Sequence, residues 1–240
     1  MVANTVDVWL LNLDISERQS HYFWNRLSAD EQQRADKFKF PELRDRFVAA
    51  RGFLRLLLSD CCGIAMRDLF FVYNEYGKPS LDKPDVSLDF NLSHCRQWAC
   101  YAITQNSIQL GVDIEFNKPM SDLPAMLDMV FNLEELSLFK VLDPDEQRHY
   151  FYQQWVCKEA ILKALGQGLS YPLKQCALEK IKDGMFCALT KESPDNTVQK
   201  WFVSLLSEQF LPESMSGAIA LPNDAFQLIY KTTDDLPESM

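Results

Sequence analysis

Two carboxylates at alternate positions of one strand pattern are the first residues whose spacing indicates chemistry. Residues 108–115 alternate aliphatic side chains at even positions with small or polar ones at odd positions, among them Gly111, Asp113 and Glu115. Residues two apart in a strand project on one side, so both carboxylates point to the same place. A hard cation such as Mg²⁺ relieves their repulsion, and Gly111 leaves room for a group to approach. The plainer alternative is an exposed edge strand with two solvated acids.

A glutamate and a lysine four residues apart form the second candidate cluster. Glu159 and Lys163 lie in a segment with helical periodicity, so their side chains share one face of the predicted helix. An apolar stripe beside them places the pair at the border of buried surface. Glu159 then serves as a third metal ligand or a general base, and Lys163 as a phosphate contact. The alternative is a surface salt bridge, which contributes only a few tenths of a kcal/mol.

Two further groups of residues are candidates for binding a polar or anionic ligand. Ser93 and His94 lie at the end of a predicted strand, where they indicate either a polar site or a plain turn. Adjacent strand residues point to opposite faces, so we do not expect a Ser/His nucleophile pair. The stretch Arg34–Arg55 has seven basic and three acidic residues, a net charge of +4, and Lys78 in a Gly-Lys-Pro turn could join it. The alternative is a solvated helix face.

The elements that must position these residues predict an α+β fold with two halves of about 110 residues each. We divide the chain into an N-terminal half at residues 1–112, a C-terminal half at 113–230 and an acidic, frayed tail at 231–240. The predicted helices begin near Ser28 or span Pro41–Cys61, Glu134–Phe139 and Asp145–Leu165, the last ending at Gly166. The predicted strands are 6–10, 86–93, 98–103, 108–115, 176–181, 201–206 and 218–221.

The charge of the whole chain restricts its partners. The 240 residues contain 24 Lys and Arg against 34 Asp and Glu, a net charge of −10. This charge argues against nucleic acid and anionic membranes as partners, because both need a broad basic surface. Seven cysteines without a C-x-x-C motif indicate free thiols in a reducing compartment. With neither a signal peptide nor an apolar stretch of about 18–20 residues, we expect a cytoplasmic protein.

Taken together and in this order, the motifs resemble those of the Sfp-type 4′-phosphopantetheinyl transferases. The similarity covers about residues 28–170, and it implies two pseudo-symmetric α+β halves with the active site at their interface, in a monomer. The motifs are Arg46…Arg51-Gly52-Phe53-Leu54-Arg55, Gly77-Lys78-Pro79, Phe90-Asn91-Leu92-Ser93-His94, Gly111-Val112-Asp113-Ile114-Glu115 and Trp155-x-x-Lys158-Glu159-Ala160-x-x-Lys163-x-x-Gly166-x-Gly168-Leu169.

The resemblance implies transfer of the phosphopantetheine arm of coenzyme A to a serine hydroxyl of an apo carrier protein, with release of adenosine 3′,5′-bisphosphate. It assigns Asp113, Glu115 and Glu159 to Mg²⁺, with Mn²⁺ as an alternative, and Glu159 also to the role of base. Lys163 would contact the phosphate of coenzyme A. The remaining pocket residues it implies for coenzyme A are Arg46, Arg51, Ser93 and His94, with Gly77, Lys78 and Pro79 beside the adenine.

Two departures and two other functions remain to be weighed. Glu31 stands where some members of the family have a phosphate-binding lysine, so Arg34 is the expected replacement, and Cys95 replaces a frequent serine. The first alternative function is a Mg²⁺-dependent nuclease or phosphodiesterase, although Glu115 is followed by Phe116-Asn117 where such enzymes usually have Glu-x-Lys. The second is a binding module for carrier proteins that has lost turnover. The segment from Gly166 to about Lys191 is expected to contact the carrier.

Overall fold

Two long helices, each packed on one face of a β-sheet, organise the chain. The computed structural model describes residues 4–83, 85–119, 123–192 and 197–237. Its helices are α1 (Glu17–Trp24), α2 (Ala29–Ala35), α3 (Pro41–Cys62), α4 (Leu123–Val130), α5 (Leu133–Phe139) and α6 (Pro144–Leu165). Its strands are β1 (Thr5–Asn12), β2 (Phe71–Tyr73), β3 (Pro79–Leu81), β4 (Asp89–Cys95), β5 (Trp98–Thr104), β6 (Gly111–Phe116), β7 (Glu179–Lys182), β8 (Met185–Glu192), β9 (Thr197–Leu205), β10 (Met215–Leu221) and β11 (Gln227–Lys231).

The first sheet has the strand order β11-β1-β5-β4 and carries α3 on one face. Pro41 opens α3, and Gly63 with φ +70° ends it in the left-handed conformation that favours glycine. The buried side of this helix packs on alternate residues of β1 and β5, including Leu11 and Tyr101. The hydroxyl of Tyr101 donates to the Ala50 carbonyl at 2.8 Å, which ties the sheet to the helix.

The second sheet has the order β6-β10-β9-β8-β7 and carries α6. The 22 residues of α6 begin at a capping box formed by Asp143 and Glu146 and end at Gly166, with φ +69°. Its apolar face packs on Trp201 and its neighbours, and the Trp201 indole donates to Thr190 Oγ1 at 2.9 Å. A buried polar ring atom is thereby satisfied inside the core.

The two sheets pack on each other through a third apolar cluster. The even residues of β1, such as Val8, lie against Val112 of β6 and Ile219 of β10, so β1 is buried on both faces. β11 returns from the second sheet and pairs in parallel with β1, with Thr5 opposite Gln227. Each end of the described chain therefore contributes a strand to the first sheet.

The α+β class is confirmed, and most predicted elements are present within a few residues. Six were missed: α1, α4, β2, β3, β8 and β11. The sequence does carry a signal for α1, because Ser16 and Gln19 form a capping box. Lys231, the first residue of the predicted tail, ends β11, and its ammonium lies 2.7 Å from Asp7 Oδ2. Residues 238–240 of that tail lie outside the described residues.

Candidate active site

The edges of the two sheets meet along β4 and β6, and odd-numbered side chains of β4 bridge the gap. Asn91 Oδ1 accepts the amide of Val112 at 3.0 Å, and Ser93 Oγ donates to Asp113 Oδ1 at 2.8 Å. Farther along, Cys95 Sγ lies 3.6 Å from Glu115 Oε2. These contacts place the carboxylates of β6 at the seam between the halves.

A close approach of β6 to α6 brings the two predicted clusters together. A Cβ atom on Gly111 would lie only 2.0 Å from the Ala160 carbonyl oxygen and 2.4 Å from the Ala164 amide nitrogen. We expected Gly111 to leave room for a ligand. That expectation is wrong, because the backbone of α6 fills the space. The glycine instead allows the strand of Asp113 to lie directly against the helix of Glu159 and Lys163.

Lys163 pairs with Asp113 across this contact. Its ammonium donates to Asp113 Oδ1 and to Ser93 Oγ, both at 2.7 Å. Among the described residues, Lys163 forms its ion pair with Asp113. It does not form the surface salt bridge to Glu159 that was the alternative interpretation. Asp113 is 3% exposed. Its second oxygen, Oδ2, and Glu159 Oε1 are both buried and accept no hydrogen bond.

The charges of the three acids affect one another. Burial raises the pKa of Glu159 to about 7, with the negative charges of Asp113 and Glu115 adding to the effect and Lys163 opposing it. The pKa of Glu115 is also raised, by burial and then by Asp113. The charge of Asp113 raises the pKa of both glutamates, and a cation placed between these carboxylates would stabilise their charged forms.

The donor set matches a hard divalent cation. In the part of the chain that the structure describes, no three His, Cys, Asp or Glu side chains already stand close enough to hold a metal ion, and Lys163 neutralises Asp113 instead. Two buried carboxylate oxygens without a donor nevertheless lie on the facing elements β6 and α6. Oxygen ligands of this kind fit Mg²⁺ or Mn²⁺ rather than a soft metal that prefers thiolate ligands.

The side chains of Ser93 and His94 lie on opposite faces of β4, as the geometry of a strand requires. Ser93 is buried and joins the cluster, whereas the side chain of His94, on the other face, is only partly exposed. The pKa of His94 lies below its ordinary value because its ring is desolvated and because Lys163 and Arg34 place positive charge near it. The positive charge near His94 comes from Arg34 and Lys163, and we call this the basic side of the site.

The other arginines of the basic stretch are held by acidic partners. Arg46 lies 2.7 Å from Asp14 and 2.8 Å from Glu42. Arg51 is 8% exposed, and its Nε donates to Glu31 at 2.6 Å. The net charge of +4 therefore overstates the positive charge that this stretch offers to a ligand. Arg46 and Arg51 are not in contact with the carboxylate cluster.

Glu31 is the centre of a buried ion-pair network rather than a gap in a phosphate site. Arg55 Nε donates to its second oxygen at 2.7 Å, and Arg55 Nη1 also donates to two backbone carbonyls. Burial alone would raise the pKa of Glu31, but the charges of Arg51 and Arg55 outweigh it and hold the pKa below the usual range. The network fastens α2 to α3.

The Gly77-Lys78-Pro79 turn joins β2 to β3 and faces the second half of the chain. Gly77 has φ +85°, which this tight turn requires. The Lys78 ammonium donates to the carbonyls of Ala164 at 2.8 Å and Leu110 at 3.2 Å. Burial lowers the pKa of Lys78 to about 8, with Asp89 opposing the shift.

Two residues of the quoted motifs have roles that the sequence analysis did not assign. Asn91 binds the backbone of β6, as described above. Lys158 is fully buried, and its ammonium donates to Glu135 at 2.6 Å and to the Val130 carbonyl at 2.8 Å. A signal for the burial of Lys158 exists in the sequence, because Val156, Cys157, Ala160 and Ile161, all within three positions of it, are apolar.

Comparisons with known proteins give consistent matches over both halves. Residues 109–211 match the model of the 4′-phosphopantetheinyl transferase superfamily, and residues 14–106 match the model described as 4′-phosphopantetheinyl transferase, N-terminal. The chain is 37% identical over 172 residues to 4′-phosphopantetheinyl transferase HetI of a Nostoc species, covering 71% of this chain and 72% of that protein. It is 31% identical over 183 residues to 4′-phosphopantetheinyl transferase Sfp of Bacillus subtilis, covering 76% and 78%. None of the described helices is both long and apolar enough to cross a membrane.

Proposed function

The chain belongs to the 4′-phosphopantetheinyl transferase superfamily, and we propose that it transfers the phosphopantetheine arm of coenzyme A to a serine hydroxyl of an apo acyl or peptidyl carrier protein. The products are the holo carrier and adenosine 3′,5′-bisphosphate. The observation that carries the proposal is a pair of buried carboxylate oxygens that accept no hydrogen bond, beside the ammonium of Lys163. These oxygens are Asp113 Oδ2 and Glu159 Oε1. This combination suits a reaction at a polyanionic phosphorus centre.

We assign Asp113, Glu115 and Glu159 as the residues that would hold Mg²⁺, with Mn²⁺ as the alternative. When bound, the cation would neutralise the pyrophosphate oxygens of coenzyme A. Lys163 would then exchange its contact with Asp113 for a phosphate oxygen, which needs only a change of partner at the end of a flexible side chain. The proximity of Ser93 to both residues supports a role in steering that exchange.

Glu159 is our candidate for the general base. Its pKa of about 7 suits a group that accepts a proton near neutral pH. The serine oxygen of the carrier would form a bond to the β-phosphorus of coenzyme A as its proton passes to Glu159, directly or through water. The bond from that phosphorus to the bridging oxygen of the pyrophosphate would break, and adenosine bisphosphate would leave with the electron pair. Lys163 stabilises the charge that develops on the oxygens.

We propose that the adenosine end of coenzyme A lies on the basic side of the site. Arg34 supports this placement as a replacement for the lysine expected at Glu31, because its charge reaches His94. Arg46 and Arg51 would have to release acidic partners before contacting a phosphate, which makes them the less favoured of the residues that the resemblance implies. The full set that the resemblance implies for coenzyme A is Arg46, Arg51, Gly77, Lys78, Pro79, Ser93, His94 and Lys163. Lys78 is the member whose ammonium already binds backbone carbonyls, those of Ala164 and Leu110.

The remaining assignments follow from the same family membership. We propose a boundary between the halves near residues 112 and 113, which is supported by family matches that end at residue 106 and resume at 109. We further propose a monomer that works in the cytoplasm, supported by cysteines that are all free thiols. Fatty acid, polyketide and nonribosomal peptide carriers are the substrates to test.

The proposal is tested by incubating the protein with coenzyme A, Mg²⁺ and several apo carriers, and measuring the mass of each carrier. We expect one carrier type to gain the mass of one phosphopantetheine arm. Glu159→Gln should lower the rate about 10²–10⁴-fold, the usual contribution of a general base. Glu134→Gln, an exposed glutamate on α5, is the matched control and should transfer at the wild-type rate. Hydrolysis of coenzyme A without any gain of carrier mass would instead support a phosphodiesterase.

A further inference from the structure

The turn between β2 and β3 binds backbone carbonyls at the end of α6 and just before β6 through two side chains. Asn74 Nδ2 donates to the Gly166 carbonyl at 2.7 Å. Lys78 Nζ donates to the carbonyls of Ala164, at 2.8 Å, and Leu110, at 3.2 Å. One short turn therefore binds three backbone oxygens, two at the end of α6 and one just before β6.

The bound carbonyls are ones that the fold leaves without helical partners. The last four carbonyls of a helix have no donor within it, and positive charge is favoured at that end. Ala164 lies in the last turn of α6, and Gly166 is its C-terminal cap. The turn therefore supplies from outside the donors and the positive charge that the end of α6 lacks.

The turn between β2 and β3 is closed by its own hydrogen bonds and fits closely against α6. Asn74 Oδ1 accepts the amides of Tyr76, at 3.0 Å, and Lys78, at 2.8 Å, and the Asn74 amide donates to the Lys78 carbonyl at 3.1 Å. The fit against α6 is close, because a Cβ atom on Gly166 would lie 2.8 Å from Asn74 Nδ2 and 3.0 Å from Lys78 Cδ. A side chain at position 166 would push the turn away.

We propose that Asn74 and Lys78 are positioning residues that set the catalytic helix against the carboxylate strand. Leu110 immediately precedes the first residue of β6, and Ala164 immediately follows Lys163 on α6. One ammonium group therefore joins the start of the strand that carries Asp113 to the end of the helix that carries Lys163. The inference rests on the proposed function, because it assigns these contacts a role in transfer.

This role differs from a contact with coenzyme A, which the resemblance implies for the same turn. A lost ligand contact raises the KM for coenzyme A and leaves kcat unchanged when it acts equally on the ground and transition states. A displaced helix misaligns Glu159 and Lys163 and lowers kcat, since small errors of position cost large factors in rate. The two roles are therefore separable by kinetics.

The test uses Lys78→Met, Asn74→Ala and the conservative Lys78→Arg in the full-length protein, with exposed Lys83→Met as the matched control. We expect Lys78→Met to lower kcat about tenfold while the KM for coenzyme A stays within about twofold. Lys78→Arg should recover part of kcat, because a guanidinium also donates to carbonyls. Amide hydrogen exchange of residues 162–167 should become about tenfold faster in Lys78→Met and in Asn74→Ala, and should not change in Lys83→Met.

Each outcome decides the inference. A rise in KM alone, or unchanged exchange at the end of α6 in both variants, would overturn it. If Lys78→Met does not fold, Asn74→Ala keeps the lysine contacts and is judged by the same two measurements. If the wild-type protein modifies no carrier, the proposed function fails. Unchanged hydrogen exchange would still contradict the positioning role of Asn74 and Lys78, independently of activity.

Discussion

Glu31 and Glu159 are two glutamates withdrawn from solvent, and their surroundings shift their pKa values in opposite directions. Glu31 lies between two arginines whose charges hold its pKa below the ordinary value of 4.5. Glu159 lies beside two other carboxylates, and its pKa rises to about 7. The carboxylate of Glu31 is neutralised within the protein, and we call its surroundings the balanced region. The surroundings of Glu159, the unbalanced region, are left with an excess of negative charge. The difference favours the unbalanced region as the ligand site, in agreement with the proposed function.

The same contrast occurs between neighbouring residues of one helix. Lys158 and Glu159 are adjacent in α6, yet Lys158 is buried in a pair with Glu135 and Glu159 faces the carboxylates of β6. Successive helical residues point in directions about 100° apart, so one turn of α6 serves the core on one side and the site on another. Charged residues of a motif therefore differ in role according to the partners that the fold gives them.

The largest expected effect comes from breaking the balanced region. Glu31→Gln leaves the guanidinium groups of Arg51 and Arg55 buried without a counter-charge, since their side chains are 9% and 1% exposed. We expect the free energy of unfolding to fall by about 3–5 kcal/mol at pH 7, measured with urea. Because the pKa of Glu31 is lowered in the folded state, this stabilisation exists above pH 4.5 and is lost as the pH falls through the lowered value.

Glu159→Gln is the control for that measurement. It removes a carboxylate of the same type from the unbalanced region and should not destabilise the protein. An equal loss of stability in the two variants would mean that the two regions do not differ as described.

The sequence was sufficient for the local part of the site. Alternation places Asp113 and Glu115 on one face of β6, and the spacing of four places Glu159 and Lys163 on one face of α6. Both patterns depend only on residues close together in the chain. The prediction that a strand and a helix would carry these residues was confirmed.

The sequence was not sufficient for partners that the tertiary fold selects. Glu31 and Arg51 are 20 residues apart, and Lys78 and Ala164 are 86 apart. No periodicity links such positions. The sequence therefore did not show that most arginines of the basic stretch form ion pairs with acidic residues of the protein. β11 was missed for the same reason, since its place beside β1 depends on the return of the chain to the first sheet.

A smaller loss is expected where the two elements of the site touch. Gly111→Ala places a Cβ atom against the backbone of α6, at Ala160 and Ala164, and backbone cannot rotate away as a side chain can. We expect a loss of about 2–3 kcal/mol in the free energy of unfolding, together with reduced transfer by the folded fraction. Full activity in folded Gly111→Ala would show that the distance between β6 and α6 is not critical.

Added Mg²⁺ should stabilise the unbalanced region and leave the balanced one unaffected. At ten times its dissociation constant, a cation that binds only the folded state adds about 1.4 kcal/mol to the free energy of unfolding. The increase should be larger at pH 8 than at pH 5, because the cation needs deprotonated carboxylates. Glu31→Gln should keep the response and Glu159→Gln should lose most of it, with NaCl at matched ionic strength as the control. A response equal to that of NaCl would exclude a metal site at these carboxylates.

The smallest expected effect is the opposite dependence on pH of the stability contributed by Glu31 and by Glu159. The raised pKa of Glu159 means that the folded protein binds a proton more readily than the unfolded chain does. Its contribution to stability is therefore fully present below pH 4.5 and is lost as the pH rises through about 7. In metal-free buffer we expect Glu159→Gln to match the wild type at pH 5 and to be about 1 kcal/mol more stable at pH 8, a value reduced for the partial exposure of this side chain. Unfolding by urea at the two pH values measures the difference, with Glu134→Gln as the control. A variant less stable than the wild type at pH 8 would place Glu159 in a balanced ion pair, like Glu31, and would remove the contrast between the two regions.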